Sequence, residues 1–259
     1  MDQSQLDQGT ARTAAELRRQ LAQMAAASQL LERTATDEKS QGYLAAMNQG
    51  ICRMLRVVGR LELSQRLSGG DVRIEPALTD LSRVVNDLGE KLGGLLAYAG
   101  VELTVKAPEL LLAVVDEDLI RQMVLELVSN AAKAGTHVRL TLAQQRDRAV
   151  FTVEDDGPGI APDRLAGLFC GAGSAPDWRQ GGVGVAIARR AADLHGGTLV
   201  ADCAEGRGLR AAASIPLGEA GENLLREPGV RWDRGGFGSE LVALGDLLPT
   251  KAFWPGIGP

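Results

Sequence analysis

The hydrophobic period of the chain changes once, at Ser68, Gly69, Gly70 and Asp71, and the parts on either side cannot share one architecture. From Thr13 to about Glu32 there is no Gly or Pro and Ala is abundant. Leu17, Leu21, Met24, Ser28 and Leu31 recur there at alternating steps of four and three. Such steps share one helix face, so the spacing predicts a helix with a single seam. After a break around Thr34, Thr36 and Asp37, a second run repeats the heptad step through Leu44, Met47, Ile51, Met54, Val58 and Leu61, with Arg53, Arg56, Arg60 and Glu62 off the seam. Residues 1–68 are therefore expected to form an antiparallel helical hairpin. Its apolar stripe is too narrow to make a core alone. Pairing with a second copy into a four-helix bundle would bury both seams, and folding back onto its own chain is the alternative.

Beyond the linker, short apolar runs alternate with amphipathic ones. The pattern predicts a strand at Val72 to Ile74, a helix from Pro76 to Tyr98, and strands at Val101 to Lys106 and Leu110 to Val114. A helix from Asp116 to Ala134 and strands at Val138 to Ala143 and Ala149 to Asp155 follow. A short helix at Asp163 to Phe169 lies between two Gly-rich loops, and then come a helix from Gly182 to His195 and closing strands at Thr198 to Cys203 and Gly208 to Ile215. Helices that separate pairs of strands give an α+β class, an α/β sandwich with helices on one face of a mixed sheet, over residues 71–218. In the tail, residues 219–259, Leu241, Val242, Leu244, Leu247 and Leu248 predict a short amphipathic helix flanked by Trp232, Phe237, Phe253 and Trp254. Those apolar groups are expected to dock, onto the preceding α/β domain in the simpler case or into a partner's groove in the other.

With 45% apolar and 24% charged residues in 259, a fully disordered chain is excluded. A net charge of -5 without a Lys/Arg-rich block argues against nucleic acid as partner. The longest apolar run, Leu110 to Val115, is far below the ~20 residues of a membrane helix, and the polar opening Asp2, Gln3, Ser4, Gln5 is no signal peptide, so a cytoplasmic protein is expected. Cys52, Cys170 and Cys203, an odd number without a CxxC pair, fit a reducing compartment and are read as small buried hydrophobes.

Three segments carry candidate chemistry. Glu126, Asn130 and Lys133 stand at i, i+4 and i+7 of one predicted helix, opposite an apolar face of Ile120, Val124, Leu127 and Ala131. The row offers a carboxylate for a proton or water, an amide oxygen for a hard cation and an ammonium for phosphate. The run Val153, Glu154, Asp155, Asp156, Gly157, Pro158, Gly159, Ile160 ends a strand on a carboxylate that can accept from an exocyclic amine, with glycines beside which a planar base can lie. Gly181, Gly182, Val183, Gly184, Val185, Ala186, Ile187 leads bare amides into a helix N-terminus, a setting suited to phosphate.

In this order these segments resemble the GHKL-type ATP-binding domain, the Bergerat fold shared by sensor histidine kinases, gyrase, Hsp90 and MutL. Glu126 to Ala134 (ELVSNAAKA) looks like its N box, Asp155 to Ile160 (DDGPGI) like its G1 box, and Gly182 to Ile187 (GVGVAI) like its G2 box. The ending Asp193, Leu194, His195, Gly196, Gly197 and the close on Ser214, Ile215, Pro216 look like the histidine kinases. The resemblance covers about Thr10 to Leu217. It implies that Asn130 holds Mg²⁺, Lys133 contacts phosphate, and Asp155 accepts the adenine amino group beside Gly157 and Gly159. Gly182, Val183 and Gly184 would line the triphosphate, Glu126 would act as base or orient water, and Cys170 to Gly181 would be the lid. The sequence departs from the family where the hairpin should carry its phosphate-accepting histidine: in Ala15, Glu16, Leu17, Arg18, Arg19, Gln20, Leu21 that position is Ala15, and the motif's proline is Gln20. Gln180 stands for the first G2 glycine and Ala172 for the second aromatic of the F box.

The function expected is that of an ATP-binding, histidine-kinase-like signalling protein, dimeric through its hairpin, using ATP and Mg²⁺ and acting with a response regulator or another acceptor protein. A catalytically silent ATP-binding switch or scaffold, and a kinase acting in trans on a separate protein, are the alternatives.

Overall fold

A computed structural model describes residues 3–68, 74–160, 182–203, 208–218 and 237–254. It divides into two compact units, Met1–Val72 with Val230–Pro259, and Arg73–Gly229. The short helix expected at Asp163 to Phe169, the Cys170 to Gly181 segment and Trp232 lie outside the described residues.

The first unit is built on α1 (Gln3–Glu32) and α2 (Glu38–Ser68). Asp37 starts α2 by accepting from the Ser40 amide at 2.9 Å. Only part of the seam read in the sequence is buried: Leu21 and Ser28 of α1 and Leu44, Ile51 and Val58 of α2. Ala14, Leu21, Ala25 and Ser28 of α1 are buried with Leu44, Ile51, Leu55 and Val58 of α2, whereas Leu17, Met24 and Leu31 are about half exposed, at 47%, 46% and 52%. Alanines at 14 and 25 let the helix backbones approach closely, and the bulkier set falls to one side of that contact. Met47, Met54 and Leu61 of α2 are likewise exposed at the heptad step. A polar cluster crosses the hairpin core: Ser28 donates to Asn48 Oδ1 at 2.5 Å and the Asn48 amide donates to Glu32 at 2.9 Å.

The described part of the tail, residues 237–254, packs on α2 and not, as expected, on the α/β domain. Helix α6 here denotes Ser239–Ala243, much shorter than the apolar pattern allowed, and a 3₁₀ turn follows at Thr250–Phe253. Both lie against α2 and bury Val242, Leu244, Leu248, Ala252 and Phe253. Gln49 reads this strap twice, donating to the Leu248 carbonyl at 2.7 Å and accepting from Thr250 Oγ1 at 3.0 Å. Arg53 donates to the Gly245 carbonyl, buried Arg56 pairs with Asp246 at 2.9 Å, and the Trp254 indole donates to Gln41 at 2.7 Å. Arg53 and Arg56, read as off-seam charges, are thus the strap's partners, because α2 has a second face to cover.

The second unit runs β1 (Ala77–Asp80), α3 (Leu81–Ala97), β2 (Glu102–Lys106), β3 (Leu112–Val115), α4 (Glu117–Ala134), β4 (His137–Gln145), β5 (Arg148–Asp155), α5 (Gly182–Leu194), β6 (Thr198–Cys203) and β7 (Leu209–Pro216). The strand expected at Val72 to Ile74 lies largely outside the described residues, whereas the first residues of the helix expected from Pro76 form β1 instead, which pairs antiparallel with β3 as a separate two-stranded sheet. Asp80 delays the helix by capping it, accepting from the Ser82 and Arg83 amides at 3.0 and 3.3 Å. The main sheet has the order β2-β4-β5-β7-β6, parallel only between β2 and β4. It is mixed, and the α/β sandwich class holds. Period-2 alternation turns Val138, Leu140 and Leu142 of β4, Phe151 and Val153 of β5, and Ala211, Ala213 and Ile215 of β7 inward. On the outer face Arg139, Glu154, Arg210 and Asp202 stand on one rung with alternating charge.

Because Phe253 is 4% exposed and anchors the strap, Phe253→Ala should destabilise the first unit by about 3–5 kcal/mol in denaturant unfolding. Unchanged stability would show that the strap does not hold in solution.

Candidate functional site

Helix α4 places the first group of candidate residues. Asp116 caps it, accepting from the Leu119 amide at 3.2 Å, and Glu117 and Asp118 in the first turn and Lys133 in the last complement the helix dipole. Ile120, Met123, Val124, Leu127, Val128 and Ala131 lock it into the core. The Glu126, Asn130 and Lys133 row is consequently graded: Glu126 is 2% exposed, Asn130 partly exposed and Lys133 exposed. The buried Glu126 carboxylate accepts from the Gln122 amide at 3.1 Å, a neighbour that the motif reading missed.

His195 links α4 to α5. The Asp116 amide donates to its Nε2 at 2.9 Å, so Nε2 is the unprotonated nitrogen and Nδ1 donates to the Ala191 carbonyl at 2.7 Å. The start of α4 therefore lies at the end of α5, and the two packed helices run antiparallel. Thirteen residues rising about 1.5 Å each bring the start of α5, with Gly182, Val183 and buried Gly184, roughly 20 Å along α4, toward the half that carries Glu126, Asn130 and Lys133.

Asp155 occupies an inward position. Its register partner is the core residue Val138, so the apolar rungs of β5 end on a carboxylate that is 8% exposed. Its Oδ1 accepts from the Gly157 amide at 2.9 Å and the Leu209 amide at 3.3 Å. Burial pushes its carboxyl above the usual 3.8, against those two hydrogen bonds. A shallow cleft of about 190 Å³ at the strand ends is lined by Asp155, Cys203, Gly208 and Leu209 and, from the outer face of the sheet, by Glu154, Asp202 and Arg210.

Glycine is demanded here by backbone packing. A Cβ on Gly157 would sit 2.6 Å from the Ala134 carbonyl, so this glycine accommodates the end of α4. Gly208, with φ +77°, would place a Cβ 1.8 Å from the Asp155 carbonyl. Gly159 has φ +75°. Cys203 is half-buried and hydrogen-bonded, not the buried hydrophobe expected: its Sγ accepts from the Ile160 amide at 2.9 Å and donates to the Gly208 carbonyl at 3.2 Å. Cys52 does match that description, and burial pushes its thiol up to about 12. Cys170 lies outside the described residues.

The α/β domain has relatives among known proteins. Residues 115–219 match the family described as histidine kinase-, DNA gyrase B-, and HSP90-like ATPase. Sensor protein kinase CarS of Pseudomonas aeruginosa is 40% identical over 107 residues, covering 40% of this chain and 24% of that protein. Sensor histidine kinase MtrB of Mycobacterium tuberculosis is 31% identical over 170 residues, 61% of this chain and 29% of that protein. The chain thus spans about a quarter of the length of such relatives. The crystal structure of full-length ShkA in complex with AMPPNP superposes with a TM-score of 0.67 at 25% identity, covering 82% of this chain and 46% of that one. Residues 115–219 are accordingly a GHKL-type, histidine-kinase ATP-binding domain.

Asp155→Asn separates the fold from the site. The amide oxygen can keep the Gly157 and Leu209 bonds, leaving an NH₂ group where Oδ2 stood, donor facing donor toward an adenine amine. Nucleotide binding should weaken by about 1–3 kcal/mol in calorimetry. A raised carboxyl pKa means that the charged form carries a burial cost, lost below that pKa and present at pH 7. The melting temperature of the variant at pH 7 should therefore equal or exceed that of the parent. Unchanged nucleotide affinity would remove Asp155 from the site.

Proposed function

We propose that the chain is a histidine-kinase-type signalling protein that binds Mg-ATP in its α/β domain and pairs with a second copy through its hairpin. The observation that carries this reading is Asp155, a carboxylate in a core position at the end of a strand. Among the described residues only its Oδ1 is engaged, which leaves Oδ2 to accept from a base amine. Asn130 supplies a hard oxygen donor on the helix face that it shares with Glu126, which fits Mg²⁺. Among the described residues no three His, Cys, Asp or Glu side chains could hold a metal ion, so a cation at Asn130 would complete its shell with phosphate and water.

In this reading Lys133 and the amides of Gly182, Val183 and Gly184 hold the phosphates, with the dipole of α5 favouring their charge. The buried Glu126 carboxylate, steadied by Gln122, accepts a proton or orients the attacking group. Bound Mg²⁺ would neutralise charge on the transferring phosphoryl group. Positioning and charge compensation then supply the catalysis.

Ala15 is exposed on α1, and the two histidines of the chain, His137 and His195, both lie in the second unit. This favours transfer to a separate acceptor, or an ATP-dependent switch without transfer, over self-phosphorylation of the hairpin. A response regulator is the acceptor class proposed, and a cytoplasmic setting is part of the same reading; no described helix is long and apolar enough to cross a membrane. Incubation with γ-labelled ATP and Mg²⁺ should leave no acid-labile label on the protein alone. Label on an added regulator supports transfer in trans, and its absence with intact ATP binding supports the switch. Acid-labile label on the unmodified protein would overturn the reading of Ala15.

The half-exposed rows Leu17, Met24, Leu31 and Met47, Met54, Leu61 support dimerisation, since a monomer would leave both in water. Met54→Glu should shift the protein toward monomer in sedimentation equilibrium, weakening association by about 100-fold, as expected for a charge forced into an apolar bundle.

A further inference from the structure

Asp156, which follows the candidate adenine-binding carboxylate, makes more side-chain hydrogen bonds than that residue does. Its carboxylate accepts from the Thr136 amide at 2.7 Å, the His137 amide at 2.9 Å, Thr136 Oγ1 at 3.1 Å and His137 Nδ1 at 2.6 Å. All four donors lie in the turn that leaves α4 and enters β4. Backbone packing closes the same seam: a Cβ on Gly135 would sit 2.2 Å from Asp156 Oδ1 and 2.9 Å from the Gly157 nitrogen, and one on Gly157 would sit 2.6 Å from the Ala134 carbonyl. Ala134 to His137 and Asp155 to Gly157 are therefore one welded joint. On one side of it α4 carries Asn130 and Lys133; on the other, β5 carries Asp155.

We propose that Asp156 is a positioning residue that sets the spacing between the base-binding and phosphate-binding halves of the nucleotide site. The proposal rests on the ATP-binding reading above. Asp156 itself faces outward, because Asp155 takes the inward position and the chain alternates. It therefore acts through the joint and not by touching nucleotide. A ligand that spans both halves must match a fixed separation, whereas one that fills a single half need not.

The joint has a spectroscopic signature. The groups facing the His137 ring are Asp156, Thr136 and, from β2, Glu102 at 3.8 Å. Hydrogen bonding to Asp156 is the largest cause that raises the His137 pKa above 6.5, and the His137 amide and ring together hold the Asp156 carboxyl well below its usual range. The Asp156 contribution is present above the ordinary carboxylate value near 3.8 and lost as pH falls below it. The His137 contribution is present below 6.5 and lost as pH rises through the raised pKa.

The test compares ATP with adenosine by NMR titration of the full chain. Asp156→Ala removes all four acceptor contacts, and should weaken ATP by about 10-fold or more while leaving adenosine within about 2-fold. Asp156→Asn keeps an oxygen for the two backbone amides, and should retain most ATP affinity while returning the His137 titration toward 6.5. If Asp156→Ala does not fold, Gly135→Ala opens the joint from its other side and should show the same selective loss. Equal loss of ATP and adenosine in a folded variant, or no loss, would overturn the positioning role. Failure of the parent protein to bind either ligand would instead overturn the ATP-binding reading, and the proposal with it.

Discussion

The burial of helix α4 is the constraint on which the second unit depends. Eleven of its eighteen residues are buried, so the helix can neither roll nor slide without exposing apolar surface. Its polar row is aimed by packing on the other faces, with the sheet beneath and α5 alongside. This accounts for a carboxylate as buried as Glu126 within a row whose last member, Lys133, is exposed. The side chains that would handle nucleotide are presented by a rigid element, as precise placement of charge requires.

Around that helix, short polar contacts do what apolar packing cannot: they set the directions of chain ends. His195 ties the start of α4 to the end of α5 through a backbone amide. Asp155 gathers the amides of Gly157 and Leu209, joining the ends of β5 and β7, and Asp156 gathers the turn into β4. All but the Asp155–Gly157 bond join residues far apart in sequence, and each directs a carboxylate or imidazole at backbone N–H groups that the regular ladders leave unpaired. Glycines at 135, 157 and 208 let those segments meet at distances that a Cβ would forbid.

The first unit solves a different problem, that of two helices with too little apolar surface for a core. Alanines make one narrow, close contact between α1 and α2, while the C-terminal strap covers a second face of α2 with Leu244, Leu248 and Phe253. The third face, with its leucines and methionines at heptad spacing, stays open within one chain. Division of labour among faces explains why one hairpin carries small residues, buried arginine and exposed leucine together.

Much of this was legible in the sequence because it is local. Heptad steps announced the hairpin, and alternation announced β4 and β5. Three segments, which the structure places on α4, at the end of β5 and at the start of α5, read as candidates for chemistry. What the sequence could not convey was which of several apolar stripes faces what. Leu17, Met24 and Leu31 read as one seam with Leu21 and Ser28, although only the latter two are buried, beside Ala14 and Ala25, because hydrophobic period gives a direction but not a neighbour. The same limit put the tail on the wrong unit, since apolar side chains signal that they must be covered and not by whom. Gly135 read only as a helix stop, Gly208 as the first residue of a strand and Asp156 as one residue of a glycine-rich segment, because close approach and multiple acceptance exist only once strands distant in sequence are side by side. Propensity and pattern determined the elements and the class of site. Tertiary packing, through steric fit and the pairing of otherwise orphaned backbone groups, decided the faces, the strap and the joint that spans the site.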